Sequence, residues 1–128
     1  MPASLLRAYR ATIYEAAGIA VRIGRRSPSL DRLLVAERAR SAVLLTAWNP
    51  YSHRMPEGWN RRMQHALAAR LRRWVVRPAC GRGRGWAEAH VLAFAPEAPA
   101  CRIAWRFRQR AVVVVRRGQA ARLRFNPG

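Results

Sequence analysis

At 128 residues and 14.5 kDa, the chain is long enough to bury one hydrophobic core without disulfides or a structural metal. Its 51% hydrophobic content excludes an intrinsically disordered chain despite the high charge. No apolar run approaches the roughly 20 residues of a membrane span, and the two cysteines, Cys80 and Cys101, are too far apart for a disulfide scaffold or a CxxC metal site. We therefore expect a single domain over residues 1–128, located in the cytoplasm, with no membrane association and no cofactor.

The charge is strongly positive, with 25 arginines against 6 acidic residues and a net charge of +19. A guanidinium is always ionised and pairs well with phosphate. Biased codon usage accounts for the choice of arginine over lysine, but not for the shortage of acids. We therefore expect nucleic acid or another polyanion as the partner, with an acidic protein as the alternative.

The first half of the chain alternates between helical and extended patterns. Apolar residues spaced four apart predict a helix over residues 4–18, and strict alternation predicts a half-buried strand over residues 19–23. A second helix is predicted over residues 29–38. The next segment, Ala42–Trp48, is apolar on both faces, which places it in the middle of a sheet. A strand, a helix and a strand in succession predict a parallel pair with a right-handed crossover.

The second half begins with the longest predicted helix, residues 56–73. It is followed by a short strand over residues 74–76, a flexible glycine-rich loop over residues 80–85 and a strand over residues 86–94. A segment of residues 96–99 then leads into a helix that ends near residue 109, and residues 111–115 and 120–125 form a hairpin. The fold prediction is an α/β domain with a mixed, partly parallel sheet of about five strands and three to four helices packed on it.

Several short segments together resemble a known family. They are, in chain order, YRATIY, VRIG, LDRLL, TAWNPYS, a helix that opens with Asn60, Trp86-Ala87-Glu88 after a glycine-rich loop, and FRQRAVVVV. Their order is similar to that of the bacterial domain-of-unknown-function family 3293, and TAWNPYS is the most specific of them. The resemblance covers nearly the whole chain and implies a small α/β domain without an established activity.

Three positions depart from the pattern of that family. His90 stands where the family has a serine, Met63 where a basic residue is usual, and Phe107–Ala111 where FGQNA is typical. Each change, including Arg110, replaces or crowds a polar position of the pattern. A site shared by the family would therefore be altered in this chain.

A polar turn follows the central strand and leads into the longest helix. The end of a central strand beside a helix start is a common ligand position in open α/β sheets, and an antiparallel strand starting at Trp86 would bring Glu88 close to Asn49. We therefore predict a ligand-binding cluster of Asn49, Ser52, Asn60, Glu88 and Gln109. The alternative is that these side chains only satisfy turn and backbone groups.

Arginines and a tryptophan form a second candidate site. Arg61, Arg62, Arg72 and Arg73 share one face of the longest helix, and Arg82, Arg84 and Trp86 surround the glycine-rich loop. These residues are predicted to bind the phosphate backbone of RNA or DNA without strong sequence specificity. The alternative is a solvated helix face beside an ordinary turn.

Glu88 and His90 are the candidates for catalysis, because residues two apart on a strand share a face and could act as base and acid on a phosphodiester. A metal site is not predicted, since no acidic residues are paired in sequence and Cys80, His90 and Cys101 lack the tight spacing of zinc ligands. The favoured prediction is a non-enzymatic nucleic-acid-binding module. The alternatives are a metal-independent enzyme acting on a phosphate-containing or nucleic-acid substrate, and an interaction protein for an acidic partner.

Overall fold

A computed structural model describes residues 3–128 of the chain. In chain order its elements are α1 (Ala3–Ala11), β1 (Ile13–Ala16), β2 (Ile19–Val21), α2 (Pro28–Ala36), β3 (Ser41–Leu45), a 3-10 turn (Pro50–Ser52), α3 (Glu57–Arg70), β4 (Val76–Gly83), β5 (Trp86–Ala93), α4 (Glu97–Arg106), β6 (Ala111–Arg116) and β7 (Arg122–Phe125). The seven strands form one sheet in the order β2-β1-β4-β5-β3-β6-β7, and all neighbours in it are antiparallel.

The predicted mixed, partly parallel sheet of about five strands is wrong. β3 does lie in the middle of the sheet, but both of its partners, β5 and β6, run antiparallel to it. β2 lies at the far edge, so α2 does not connect two neighbouring strands and no parallel crossover forms. The apolar character of both faces of β3 indicates a central position in the sheet, but it does not indicate which strands pair with β3 or in which direction they run.

The predicted first helix is too long, because residues Ile13–Ala16 form strand β1. α1 ends at Ala11, and Thr12 turns back on it through a hydrogen bond from Oγ1 to the Ala8 carbonyl oxygen (2.8 Å). A two-residue turn at Ala17 and Gly18, both with positive φ, then reverses the chain into β2. Such turns match the twist of a two-stranded hairpin.

The predicted glycine-rich loop is mostly strand β4. Its hairpin with β5 pairs Gly83 with Trp86 and turns at Arg84 and Gly85. A Cβ atom on Gly83 would overlap the indole ring of Trp86, so glycine at this position makes room for a side chain on the next strand. The glycines thus allow the two strands to pack closely, and they do not form the flexible loop that the sequence predicted.

The sheet curls into a half-barrel, and its two edges approach each other at one point. Ile23, just after β2, bridges Ala121, just before β7. The contact is held by hydrogen bonds from Gly24 N to Ala121 O (2.7 Å) and from Ala121 N to Arg25 O (3.1 Å). The curl gives the sheet one concave and one convex face.

Each face of the sheet has its own core. α3 and α4 cover the convex face, where their buried residues pack against β3 and β6. α2 covers one end of the concave face through Leu30 and Leu34. α1 lies beside the other end, where the Tyr9 and Phe125 rings meet edge to face at 6.3 Å. None of the helices within residues 3–128 has the length and apolar character needed to cross a lipid bilayer.

Candidate functional site

A cavity of about 840 Å³ opens on the concave face, between α1, the sheet and the turn after β3. This size is typical of small-molecule sites. All five residues of the predicted ligand cluster line it: Asn49, Ser52, Asn60, Glu88 and Gln109. The structure therefore brings these residues together at one place, while their role as ligand-binding groups remains a prediction.

Asn49 and Glu88 are in direct contact across the end of β3 and the start of β5. Asn49 Nδ2 donates a hydrogen bond to Glu88 Oε1 at 2.8 Å. The contact depends on the antiparallel pairing of the two strands, which carries the chain beyond Leu45 toward Glu88. The amide thereby fixes one carboxylate oxygen and leaves the carboxylate in the wall of the cavity.

Asn60, on the first turns of α3, holds Asn49 in place. Its Oδ1 accepts from Asn49 N (3.0 Å), and its Nδ2 donates to Asn49 Oδ1 (3.0 Å) and to the Met55 carbonyl oxygen (3.3 Å). Met55 N also donates to Asn49 Oδ1 at 2.9 Å. Because Asn60 is only 2% exposed, these bonds have little competition from water.

The turn between β3 and α3 is strained. Asn49, Tyr51 and Ser52 all have positive φ, at 45°, 50° and 63°. Asparagine tolerates this region, but Tyr51 and Ser52 are held there by backbone hydrogen bonds, including Tyr51 N to Arg108 O at 2.7 Å. Strain of this kind costs about 1–3 kcal/mol per residue and clusters at ligand sites.

Glu88 differs from the other carboxylates of the described chain. Five of the six acidic residues form an ion pair with arginine, namely Glu15, Asp31, Glu37, Glu57 and Glu97. Glu88 has Asn49 as its partner instead. Burial raises the pKa of the Glu88 carboxyl, and the hydrogen bond from Asn49 opposes that shift.

His90 faces the same cavity from the same strand. Burial lowers the pKa of its imidazole to about 4, so the ring is neutral near pH 7. His90 Nδ1 lies 3.2 Å from the Glu88 carbonyl oxygen. A carbonyl oxygen can only accept, so Nδ1 carries the proton and Nε2 is the acceptor. The ring packs edge to face on Tyr14, with centroids 5.5 Å apart.

Aromatic side chains form much of the cavity wall, and the sequence prediction omitted three of the four. They are Tyr9, Tyr14, Trp48 and Trp86, of which only Trp86 was predicted. Burial raises the pKa of both tyrosines, so their phenols remain protonated. Tyr9 and Tyr14 lie on α1 and β1, which meet the rest of the site only through the sheet topology.

Gln109 has a structural role in the cavity wall. It follows α4, although the sequence predicts a helix through this position, and it is buried. Its Nε2 donates to the carbonyl oxygens of Trp48 (3.1 Å) and Phe107 (3.2 Å). Gln109 thereby links the end of β3 to the segment before β6.

Three arginines line the cavity: Arg54, Arg84 and Arg110. All three are exposed, and their guanidinium groups have no carboxylate partner within the described residues. Arg84 belongs to the predicted nucleic-acid site, whereas Arg54 and Arg110 carried no motif signal for phosphate binding. The cavity therefore combines cations with an unpaired carboxylate.

Apart from Arg84 and Trp86, the predicted nucleic-acid residues do not line this cavity. Arg61 pairs with Glu57 (3.1 Å) and Arg82 with Glu15 (3.2 Å). Arg72 and Arg73 follow the C-terminal end of α3, where they line a separate cleft, and Arg62 is exposed on the same helix.

The three residues considered for zinc are not brought together. Cys101 is buried in the convex core, whereas His90 faces the concave cavity. Within residues 3–128, no group of three or more histidine, cysteine or acidic side chains is placed to hold a metal ion.

Comparison with known proteins identifies the family of the chain. No curated protein and no solved structure matches it. Residues 45–112, more than half of the chain, match the model of the family described as Protein of unknown function (DUF3293). The matched segment runs from the last residue of β3 through α4 to the start of β6, and it contains all five predicted ligand-cluster residues. The chain therefore belongs to the domain-of-unknown-function family 3293.

Proposed function

We propose that the protein binds a nucleotide in the concave cavity, either as a free mononucleotide or as one unit of a single-stranded nucleic acid. The observation that carries this proposal is the position of Glu88. It lacks the arginine partner that every other acidic residue has, and it lies in a cavity lined by three arginines. The ligand is therefore expected to have both an anionic group and hydrogen-bond donors.

The arginines of the cavity would bind the anionic group of the ligand. Arg54, Arg84 and Arg110 are free to form charge-assisted, bidentate hydrogen bonds with phosphate. The aromatic side chains of the cavity wall favour a ligand with a flat ring, since nucleobases stack on tyrosine and tryptophan. Together these groups match the phosphate and the base of a nucleotide.

Glu88 distinguishes a nucleotide from a simple anion. A carboxylate in the wall repels phosphate, so a site for anions alone would bind more tightly without it. A carboxylate accepts hydrogen bonds from the amino groups of bases. We therefore expect the cavity to prefer nucleotides whose base carries an amino group, and uridine monophosphate to bind least tightly.

The test is calorimetric titration of the wild type and the Glu88→Gln variant with the four ribonucleoside monophosphates and with inorganic phosphate. Glutamine keeps the shape of the side chain and an oxygen for Asn49, but it removes the charge. The variant is expected to bind amino-bearing mononucleotides about tenfold less tightly, because it loses a charge-assisted hydrogen bond. Inorganic phosphate should bind no less tightly to it than to the wild type.

Glu15→Gln is the matched control. It also raises the net charge by one, but Glu15 lies outside the cavity and pairs with Arg82. This variant should bind mononucleotides as the wild type does. Tighter binding of mononucleotides to Glu88→Gln, or an equal loss in both variants, would refute the proposal.

Short oligonucleotides separate the two sources of the nucleotide. A single-stranded hexamer that displaces a bound mononucleotide indicates that the cavity takes one unit of the strand. A hexamer that does not displace the mononucleotide indicates a free metabolite as the ligand.

Catalysis at a phosphate-containing substrate is the second candidate function. The raised pKa of Glu88, in a cavity, favours a general base there. The predicted partner acid, His90, lies two residues further along the same strand, and burial lowers the pKa of its imidazole. Labelled RNA incubated with wild type and Glu88→Gln tests this candidate: a general base predicts a cleavage rate 10²- to 10⁴-fold lower in the variant, whereas no cleavage by the wild type removes it.

A further inference from the structure

The protein has a second, separate cationic surface on its convex side. A cleft of about 970 Å³ lies between the C-terminal end of α3 and α4. We name it the α3–α4 cleft; it is lined by Ala69, Arg70, Arg72, Arg73, Trp74, Pro99, Arg102, Ile103, Trp105 and Arg106. None of these residues lines the concave cavity.

Charge is the main property of the α3–α4 cleft. Five of its residues are arginines, all exposed, and no acidic side chain lines it. Within the described residues, none of the five forms an ion pair or donates a side-chain hydrogen bond. Five permanent positive charges in one cleft repel each other and are stabilised by an anionic partner.

The two tryptophans indicate what kind of anion fits. Trp74 and Trp105 are half-buried beside the arginines, and the guanidinium of Arg73 lies over the Trp74 ring at 4.5 Å from its centroid. Arginines that contact phosphates next to aromatic rings that stack on bases are typical of single-stranded nucleic-acid sites. An acidic protein would match the charges but not the rings.

We infer that the α3–α4 cleft binds the backbone of a single-stranded nucleic acid. The inference does not depend on the proposed function of the concave cavity, because the two sites share no residue. The sequence prediction included Arg72 and Arg73, but it grouped them with Arg61 and Arg62 on one face of the longest helix. The cleft adds Arg70 from α3, Arg102 and Arg106 from α4, and the two tryptophans.

Salt dependence of binding is the quantitative test. If all five arginines contact phosphates, the plot of log affinity against log salt for a thymidine 12-mer has a slope of about −3.5. The variant Arg102→Ala/Arg106→Ala should reduce the magnitude of this slope by about 1.4 and weaken binding about tenfold at low salt. Both side chains are exposed on α4, and circular dichroism verifies that the variant folds.

The matched control is Arg25→Ala/Arg40→Ala, which removes the same charge from exposed positions outside both sites. It should retain the wild-type slope. Equal losses in the two variants would show that net charge, and not the cleft, determines binding. A polyglutamate chain of matched charge that binds as tightly as the 12-mer would identify an acidic partner and overturn the inference.

Mononucleotide titration separates this inference from the proposed function. The cleft variant should bind mononucleotides in the concave cavity as the wild type does. If mononucleotides do not bind the concave cavity as proposed, but the cleft variant loses 12-mer binding as predicted, then the cleft is the nucleic-acid site. If the cleft variant binds the 12-mer with the affinity of the wild type, the inference about the cleft is refuted, and the proposed function of the concave cavity is unaffected.

Discussion

His90 lies directly over Gly81 of the neighbouring strand, so that a Cβ atom at position 81 would be 3.0 Å from His90 Cε1 and 3.3 Å from Tyr14 Cε1. The strand needs glycine there because two rings from β5 and β1 occupy the space above it. Gly81 pairs with both Tyr14 and Glu88. The floor of the concave cavity thus depends on a residue without a side chain.

Gly81→Ala is therefore expected to destabilise the fold by about 1–3 kcal/mol through overpacking. The double variant Gly81→Ala/His90→Ser should recover most of that loss, because serine leaves room for the new methyl group and glycine is otherwise unfavourable within a strand. Chemical denaturation of the four proteins of this double-mutant cycle measures the coupling. Additive effects of the two substitutions would contradict the packing argument.

His90 also makes stability depend on pH. The pKa of its imidazole is about 4 in the folded chain and 6.5 ordinarily, so between these values the unfolded chain binds more protons. The free energy of unfolding contributed by His90 should therefore decrease as pH falls from 6.5 toward 4. Denaturation of wild type and His90→Ser at about pH 7 and about pH 4.5 measures the difference.

Two other groups act on the same pH range and are common to both proteins. Arg122 and Arg124 hold the pKa of Glu97 low, against the effect of its burial, which reinforces the decrease in stability in acid; the raised pKa of Glu88 opposes it. The comparison with His90→Ser isolates the histidine. His53→Ser, at an exposed position in the turn, should behave as the wild type. Parallel curves for wild type and His90→Ser would refute this prediction.

The buried amide of Asn60 is expected to be important for stability. Asn60→Ala removes three hydrogen bonds to Asn49 and Met55, and the loss should be about 2–3 kcal/mol, since buried partners are left unsatisfied. Asn60→Asp keeps the acceptor for Asn49 N but places an oxygen against two other oxygens, so it should be at least as destabilising. Urea denaturation tests both. Gln119→Ala, at an exposed turn, should change stability by less than about 0.5 kcal/mol.

The β1–β2 turn offers a stabilising substitution. Ala17 has a φ of 51° and precedes Gly18 at 75°, the conformation that asparagine and glycine favour in two-residue hairpin turns. Ala17→Asn should raise the free energy of unfolding by about 0.5–1 kcal/mol. Ala20→Asn is the control, since Ala20 is exposed within β2, where asparagine is unfavourable. A loss of stability in Ala17→Asn would contradict the prediction.

Local patterns predicted most individual elements and the β6–β7 hairpin, but not the order of the strands in the sheet. Ala42–Leu45 is apolar on both faces, and this alone places β3 in the centre of the sheet. The contact between Asn49 and Glu88 followed from the expectation that the predicted strand over residues 86–94 runs antiparallel to β3. The predicted parallel pair failed because the edge position of β2 depends on long-range burial that no local pattern contains.

The rest of the site depended on contacts between distant residues. The sequence around Gly81 and Gly83 predicted a loop. The rings of Tyr14, His90 and Trp86 require glycine at these positions, but local sequence does not show that the fold brings those rings there. Ile13–Ala16 continued the apolar spacing of α1, so the strand that carries Tyr14 into the cavity was missed. Whether each arginine forms an ion pair likewise depends on whether the fold brings it close to a carboxylate.

The bridge between Ile23 and Ala121 joins segments that are far apart in the sequence. Until β7 is synthesised, β6 exposes unpaired backbone groups along the edge that β7 covers in the folded sheet. Open edges of this kind pair with other chains and lead to aggregation. A net charge of +19 opposes such association through mutual repulsion of the chains. The excess of arginine therefore has a consequence for folding that does not require a ligand.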